Sequence, residues 1–337
     1  MVGLDIGSKT IKAVELAKEG DGWKLLASGV IGHTGDAVEH IKEDKDIAAL
    51  AEIIKKLFKE ARISSKQVAV SIPESQVFTR TITFPMLTDQ EIESAVKWEA
   101  EQYIPIPLKE AIVQHQILER RENATPPGVA VLLVAAPRSL VEKYTRVVQL
   151  AGLTPMAVET SLMAAARALA PADQTVMIID LGARSTDMAI VKNGMLSFSR
   201  SVATAGEAFT RAVAQTLGVE IQQAEAYKRT YGLSGSQLEG KIKGALDPVF
   251  KMVTDEIKKA IHFYQTEEKG DAPKAVILSV GTAGMPQAVG ALTEMLGLEV
   301  VVGNPFAKVV VNPDAAKSLA AFAPLYSIAV GLAERGE

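Results

Sequence analysis

The chain has 337 residues, 48% of them hydrophobic and 23% charged, with a net charge of −4 and no cysteine. That length holds two domains, each with its own core, and the composition is that of an ordinary globular protein. The charge offers no basic field for nucleic acid, and the absence of cysteine removes disulfides and thiolate metal sites. His33, His40, His115 and His262 have no metal-ligand spacing and read as surface or core residues. No basic n-region and apolar h-region precede Asp5, so no signal peptide is expected. The most apolar run, Val129 to Ala136, is stopped by Pro137, well below the roughly 18 residues of a membrane helix. A cytoplasmic chain without direct membrane insertion is the expectation.

The first element is an apolar strand that delivers Asp5, turns at Gly7 and continues through Ser8, Lys9 and Thr10 to Ile11 and Val14. Backbone N–H groups at such a turn suit an anion, and an aspartate beside them suits Mg²⁺. A plain Gly-turn hairpin has the same look, so one copy decides little. A second copy lies at Val176 to Val191: with Asp180 on Asp5, Gly182 falls on Gly7, Ala183 on Ser8, Arg184 on Lys9 and Ser185 on Thr10. Each copy runs into a second turn and strand, Gly20-Asp21-Gly22 before WKLLASGV and Asn193-Gly194 before MLSFSRSV. Asn-Gly between two strand-like runs is a strong hairpin signal. The repeat predicts two related lobes, each offering a phosphate-gripping hairpin.

After the first hairpin, Ile47, Leu50, Ala51, Ile54, Leu57, Phe58 and Ala61 share one helical face. Val68 to Ile72 is a buried strand. A stretch of different character follows. Val77 to Phe84 alternates as a strand, and Thr88-Asp89-Gln90-Glu91 is a capping box opening a helix that stops at Ile104-Pro105. Ile112 to Glu119 and Val129 to Ala136 are strands, and a helix runs from Pro137 to about Ala151. This unit has no phosphate motif and reads as an α+β insert. Trp98 and Tyr103, at helical spacing, read more simply as core than as partner-binding residues. Glu159 precedes an alanine-rich helix. In the second lobe, Ala205-Gly206-Glu207 opens a helix. Glu225 and Lys228 are i, i+3 neighbours on the next one, and by themselves read as a surface ion pair. Leu246 to Phe263 is a long amphipathic helix. The strand Ala275 to Val280 ends at Gly281-Thr282-Ala283-Gly284, with Met285-Pro286 opening a helix. Glu299 to Val302 is a strand, and a small-residue helix, Leu325 to Ala333, closes the chain.

The order of these motifs resembles the actin-like ATPase superfamily, which includes actin, the heat-shock chaperones, sugar kinases and FtsA. The resemblance implies an α/β, actin-like (ribonuclease H-like) fold of two lobes with ATP·Mg²⁺ between them and a small α+β subdomain inserted in the first lobe. It divides the chain into a first-lobe core (1–76), the insert (77–151) and a return to the first lobe (152–174). A second-lobe core (175–222), its subdomain (223–271), further second-lobe core (272–323) and a closing helix (324–337) follow. By the same resemblance Asp5 and Asp180 hold Mg²⁺ mainly through water and count, with Glu159, as catalytic. Glu159 matches a residue that positions the attacking water in some members. Gly7, Ser8, Lys9 and Thr10 grip phosphates from one side, and Gly182, Arg184, Ser185, Thr186 and Gly206 from the other. Glu225 and Lys228 match the pair at the ribose and adenine. Gly281, Thr282 and Ala283 match the adenine turn, where Val280 replaces the usual first glycine, and Ala329, Gly331 and Leu332 match the second connecting helix.

Within that superfamily, Ile72-Pro73-Glu74-Ser75 to Arg80, Phe84-Pro85, and Trp98-Glu99-Ala100-Glu101-Gln102-Tyr103-Ile104-Pro105 resemble the PilM family of type IV pilus machines. This implies a cytoplasmic ATP-binding adaptor, peripheral at the inner face of the cytoplasmic membrane. It would bind the N-terminal peptide of a bitopic PilN-like protein between the core lobe and the insert, and contact other pilus assembly proteins. Arg80, Glu99 and Tyr103 are the partner-binding candidates. The chain ends without a basic–apolar tail, which sets it apart from FtsA. Two alternatives stand beside this reading: self-association into filaments in the manner of FtsA, and a small-molecule kinase, for which no base other than Glu159 is visible. Bound ATP and slow hydrolysis leave the same trace in sequence.

Overall fold

The computed structural model describes residues 1–123, 125–235, 238–279 and 281–336, without the side chains of 238, 282 and 283. The first lobe opens with β1 (Val2–Ile6), β2 (Thr10–Glu19), β3 (Gly22–Gly32), α1 (Asp44–Glu60) and β4 (Gln67–Ile72). The insert holds β5 (Phe78–Phe84), α2 (Asp89–Tyr103), β6 (Ala111–Arg121) and β7 (Gly128–Pro137). Next come α3 (Arg138–Leu150), β8 (Thr154–Thr160) and α4 (Ser161–Leu169). The second lobe is β9 (Thr175–Leu181), β10 (Thr186–Lys192), β11 (Met195–Val202), α5 (Gly206–Leu217), α6 (Ile221–Tyr231), α7 (Lys241–Thr266), β12 (Ala275–Ser279), α8 (Ala288–Leu296) and β13 (Glu299–Val302). The chain ends with β14 (Val309–Val310), α9 (Pro313–Leu319) and α10 (Ser327–Ala333).

The two main sheets repeat one plan. The first is ordered β14-β3-β2-β1-β4-β8 and the second β11-β10-β9-β12-β13. Apart from the added β14, each reads third, second, first, fourth, fifth along its own segment. In each, an antiparallel three-strand meander carries two further parallel strands beside its first strand. The turn after β10 places Asn193 at φ 52° and Gly194 at φ 75°, the left-handed pair that a two-residue hairpin requires.

The insert is a three-stranded antiparallel sheet, β5-β7-β6. The helix α2 covers one face through Ile92, Val96 and Ala100 against Val129, Val131 and Leu133. The opposite face of β7 sends Leu132 into the cluster beneath the second lobe and Ala136 into that of the first. Burial on both faces accounts for the unbroken apolar run of β7. The motif order places α3 with the insert. It packs Leu140, Tyr144, Val147 and Val148 into the first-lobe core instead, with Ile47 and Leu50 of α1. The chain also regains the first lobe before residue 324, since Val309 pairs with Trp23 of β3.

The small-residue helices α4 and α10 join the lobes. Ala164 and Ala165 of α4 lie with Val176, Ile178 and Ala189 of the second sheet, while Ala329 and Val330 of α10 lie with Val14 and Leu16 of the first. Where the helices cross, a Cβ on Gly331 would stand 1.8 Å from the Ala164 carbonyl oxygen, so only glycine fits. Among the described residues no single helix is long and apolar enough to cross a membrane. The segments Pro313–Leu319 and Ala323–Ala333 match by length and composition only as a pair bent by 96°.

Candidate functional site

Both sheets turn the ends of their first strands toward the cleft between the lobes. In β1–β2, Asp5 lies opposite Lys12; in β9–β10, Asp180 lies opposite Asp187. Each hairpin is closed by the same bond: Gly7 N donates to the Thr10 carbonyl at 3.1 Å, and Gly182 N to the Ser185 carbonyl at 3.1 Å. A Cβ on either glycine would come within 3.0 or 3.1 Å of that same carbonyl oxygen. The repeated aspartate–glycine pattern thus encodes a repeated tight turn.

Across each sheet the aspartate sits in a polar row. In the first lobe Lys12 Nζ donates to Asp5 Oδ2 at 2.9 Å and Ser71 Oγ, from β4, donates to Asp5 Oδ1 at 3.3 Å. In the second lobe Asp187, Asp180 and Ser279 occupy adjacent strands in register. Ser185 Oγ donates to Asp187 Oδ2 at 3.2 Å, and Ser201 Oγ donates to Oδ1. Asp180 Oδ1 and Ser279 Oγ are buried without a hydrogen-bond partner among the described residues. Burial, with the charges of Asp187 and Asp5 and against the pull of Lys12, pushes the Asp180 carboxyl up to about 8. Burial also raises Asp187, opposed by its two serine hydroxyls.

The two loops meet across the cleft. Lys9 Nζ of the first hairpin is 3.1 Å from Glu207 Oε1 on α5, and Arg184 Nε of the second is 3.8 Å from the same oxygen. Two cations expected at phosphates therefore converge on one carboxylate. Gly206 N donates to the Gly182 carbonyl at 3.1 Å and Glu207 N to that of Ala183 at 2.8 Å, so the start of α5 is docked on the second loop. Thr186 Oγ1, expected to grip phosphate, donates to the Thr204 carbonyl at 2.6 Å and is fully buried. His33 belongs to the site's support: its Nε2 lies 2.8 Å from the Gly7 carbonyl oxygen and its N donates to that of Lys9 at 3.0 Å.

The helix α6 packs on the start of α5. Lys228 Nζ, 7% exposed, donates to Glu225 Oε2 at 2.6 Å, Thr210 Oγ1 at 2.9 Å and the Gly206 carbonyl at 3.1 Å. This is no surface pair; it ties α6 to α5. Burial opposes ionisation of Glu225, but bonds from Lys228, Thr210 and Arg229 hold its carboxyl down at about 2. Leu233 N, just past α6, donates to the Pro286 carbonyl at 3.0 Å, bringing the Gly281–Gly284 turn alongside. Val280 and the side chains of Thr282 and Ala283 lie outside the described residues.

Both oxygens of Glu159 are held by arginines. Arg167 Nη1 and Nη2 take its two oxygens at 2.6 and 2.8 Å, and Arg335 Nη1 adds a contact to Oε2 at 3.1 Å. Arg167 also bonds the Gly331 carbonyl at 2.6 Å, so Glu159 braces the joining helices. On the insert, the Arg80 guanidinium stacks 3.9 Å from the Tyr103 ring centre, and Glu99 is half-buried on α2. Trp98 is 64% exposed, not core. Lys12, Ser71, Asp187 and Ser279 are not among the site candidates that the sequence offers, and Glu74 figures there only in a family-marking run. The repeat itself carried the signal for two of them, since Lys12 and Asp187 both stand seven residues after the aspartate.

Among the described residues no group of three or more His, Asp or Glu is arranged to hold a metal ion directly. A hydrated Mg²⁺ needs less, one or two carboxylates beside phosphate and water. Asp5, Asp180 and Asp187 against the single Lys12, with Asp180 Oδ1 buried and unpartnered, fit such an ion.

A family model described as type IV pilus assembly protein PilM matches residues 3–337. A solved PilM–PilN type IV pilus biogenesis complex contains a chain with TM-score 0.84 and 28% identity, covering 99% of this chain and 97% of that one. The cell division protein FtsA of Streptococcus pneumoniae is 25% identical over 356 aligned positions, 92% of this chain and 77% of that protein. MreB5 of Spiroplasma citri, bound to AMPPNP, has TM-score 0.53 at 15% identity over 98% of this chain and 93% of that one. The actin-like fold expected from the motif order is the fold found.

Proposed function

The chain belongs to the type IV pilus assembly protein PilM family, and from that premise we propose that it is an ATP-binding adaptor of a pilus assembly platform. In this reading Mg·ATP joins the two lobes, and the chain is held at the inner face of the cytoplasmic membrane by the N-terminal cytoplasmic peptide of a PilN protein. The partner is supported by the PilM–PilN complex, whose similar chain aligns along 97% of its length. The nucleotide is supported chiefly by one observation, the buried Asp180 Oδ1 at the end of β9, which has no hydrogen-bond partner among the described residues.

In the nucleotide reading Asp5 and Asp180 hold Mg²⁺ through water, which supplies charge neutralisation at the phosphates. Lys9 and Arg184 leave Glu207 to meet the phosphates, and Lys12 holds Asp5 in place. Glu225, kept ionised by Lys228 and Arg229, offers its carboxylate to ribose hydroxyls. In this reading Glu159 serves to hold Arg167 and Arg335 at the joining helices.

Titration calorimetry of the full chain against a synthetic peptide of its PilN's N-terminal cytoplasmic segment tests the adaptor half. Saturable one-to-one binding is expected. No binding up to about 1 mM peptide would contradict it.

A further inference from the structure

Glu74 lies in the short turn after β4, where the first lobe, the insert and the second lobe meet. The residue is 3% exposed. Its Oε1 accepts from Thr79 Oγ1 of the insert at 3.0 Å and from Ser199 Oγ of β11 at 2.5 Å. Its Oε2 is buried and has no partner among the described residues. A buried carboxyl satisfied on one oxygen alone is costly to keep for packing.

The strand β11 links this carboxyl to the cleft. Ser197, Ser199 and Ser201 alternate along it and so share one face. The Ser197 carbonyl accepts from Thr81 Oγ1 of the insert at 2.6 Å, Ser199 bonds Glu74, and Ser201 bonds Asp187, which pairs with Asp180. One strand therefore touches the insert at one end and the acidic row of the cleft at the other.

We propose that Glu74 is a positioning residue that carries movement of the second lobe at the nucleotide cleft into the inserted unit. The inference rests on the Mg·ATP reading above. Glu74 is fixed to the first lobe by its own turn, while Ser199 moves with the second. Rotation of one lobe on the other pulls on the Ser199–Glu74 bond. The carboxyl then turns, presenting its unpartnered oxygen, and Thr79 on β5 follows. A link of this kind needs two discrete arrangements that the two sites populate differently, and the two unequal oxygens of Glu74 supply them.

The test uses Ser199→Ala and Thr79→Val, each of which removes one bond to Glu74 and no charge. Two quantities are read: Mg·ATP affinity, and the change that Mg·ATP causes in amide exchange of β5 and in affinity for the PilN peptide. Wild type is expected to bind Mg·ATP, to alter β5 exchange, and to change peptide affinity about fivefold or more. Both variants are expected to keep Mg·ATP affinity while the exchange change and the affinity ratio disappear. A merely structural role would lower stability and leave the ratio intact. The relay is overturned if nucleotide binds wild type without moving β5, or if both variants keep the coupling. It is also overturned if Thr81→Val abolishes coupling while Ser199→Ala does not, which routes it past Glu74. No nucleotide binding by wild type would tell against the cleft reading itself.

Discussion

The two hairpins have the same turn, closed by the same 3.1 Å bond, yet their polar rows differ. Lys12–Asp5–Ser71 is an internally satisfied row, with a cation and a hydroxyl each on its own carboxylate oxygen. Asp187–Asp180–Ser279 puts acid beside acid and leaves Asp180 Oδ1 and Ser279 Oγ without partners among the described residues. The backbone is the same in both, and one cross-strand position, lysine in one lobe and aspartate in the other, sets the chemistry apart. The first row can hold its shape alone. The second has room for a proton, or for a hydrated cation in its place, which is why the proposed ligand is assigned to it.

The largest expected effect comes from breaking the satisfied row. Lys12 and Asp5 side chains are 5% and 8% exposed, and removing one partner of a buried pair costs about 3–5 kcal/mol. Lys12→Met should lose that much in denaturant unfolding, and adding Asp5→Asn should restore part of it. A loss below about 1 kcal/mol, typical of an exposed pair, would show that the row is open to water.

In the second row the corresponding change should do the reverse. With Asp180 at about 8 in the folded state against an ordinary 3.8, its contribution to stability is full below pH 3.8. That contribution is lost as pH rises toward about 8. Asp187→Asn removes a like charge, so Asp180 should titrate lower, as followed by carboxyl carbon NMR, with little loss of stability. An unmoved Asp180 would break the contrast between the rows. A smaller effect follows for the ligand. Mg²⁺ needs the carboxylate form, so Mg·ATP binding should release a proton and strengthen as pH rises from about 7 to about 9. Asp180→Asn should flatten that slope.

Much of this was legible in the chain. The repeated Asp-x-Gly and the Asn193-Gly194 turn fixed the hairpins, because tight turns demand particular residues at particular offsets. The Thr88–Glu91 capping box forms as read, Thr88 N donating to Glu91 Oε2 at 2.8 Å and Glu91 N to Thr88 Oγ1 at 3.4 Å. What escaped depends on partners distant in sequence. Ser71 meets Asp5 across 66 residues and Glu74 meets Ser199 across 125, and no local pattern announces either bond. Glu159 followed its motif but met Arg335 176 residues away. Trp98 failed for another reason: helical spacing alone does not say which face is covered.

The most direct test of the asymmetry is calorimetric titration of Mg·ATP into wild type and Asp180→Asn, with folding of both checked by thermal melting. Saturable one-to-one binding by wild type, weakened at least about tenfold, or about 1.4 kcal/mol, in an equally stable Asp180→Asn, is the predicted result. Equal affinity in the two proteins, or no saturable binding by wild type, would contradict the assignment of the ligand to the second row.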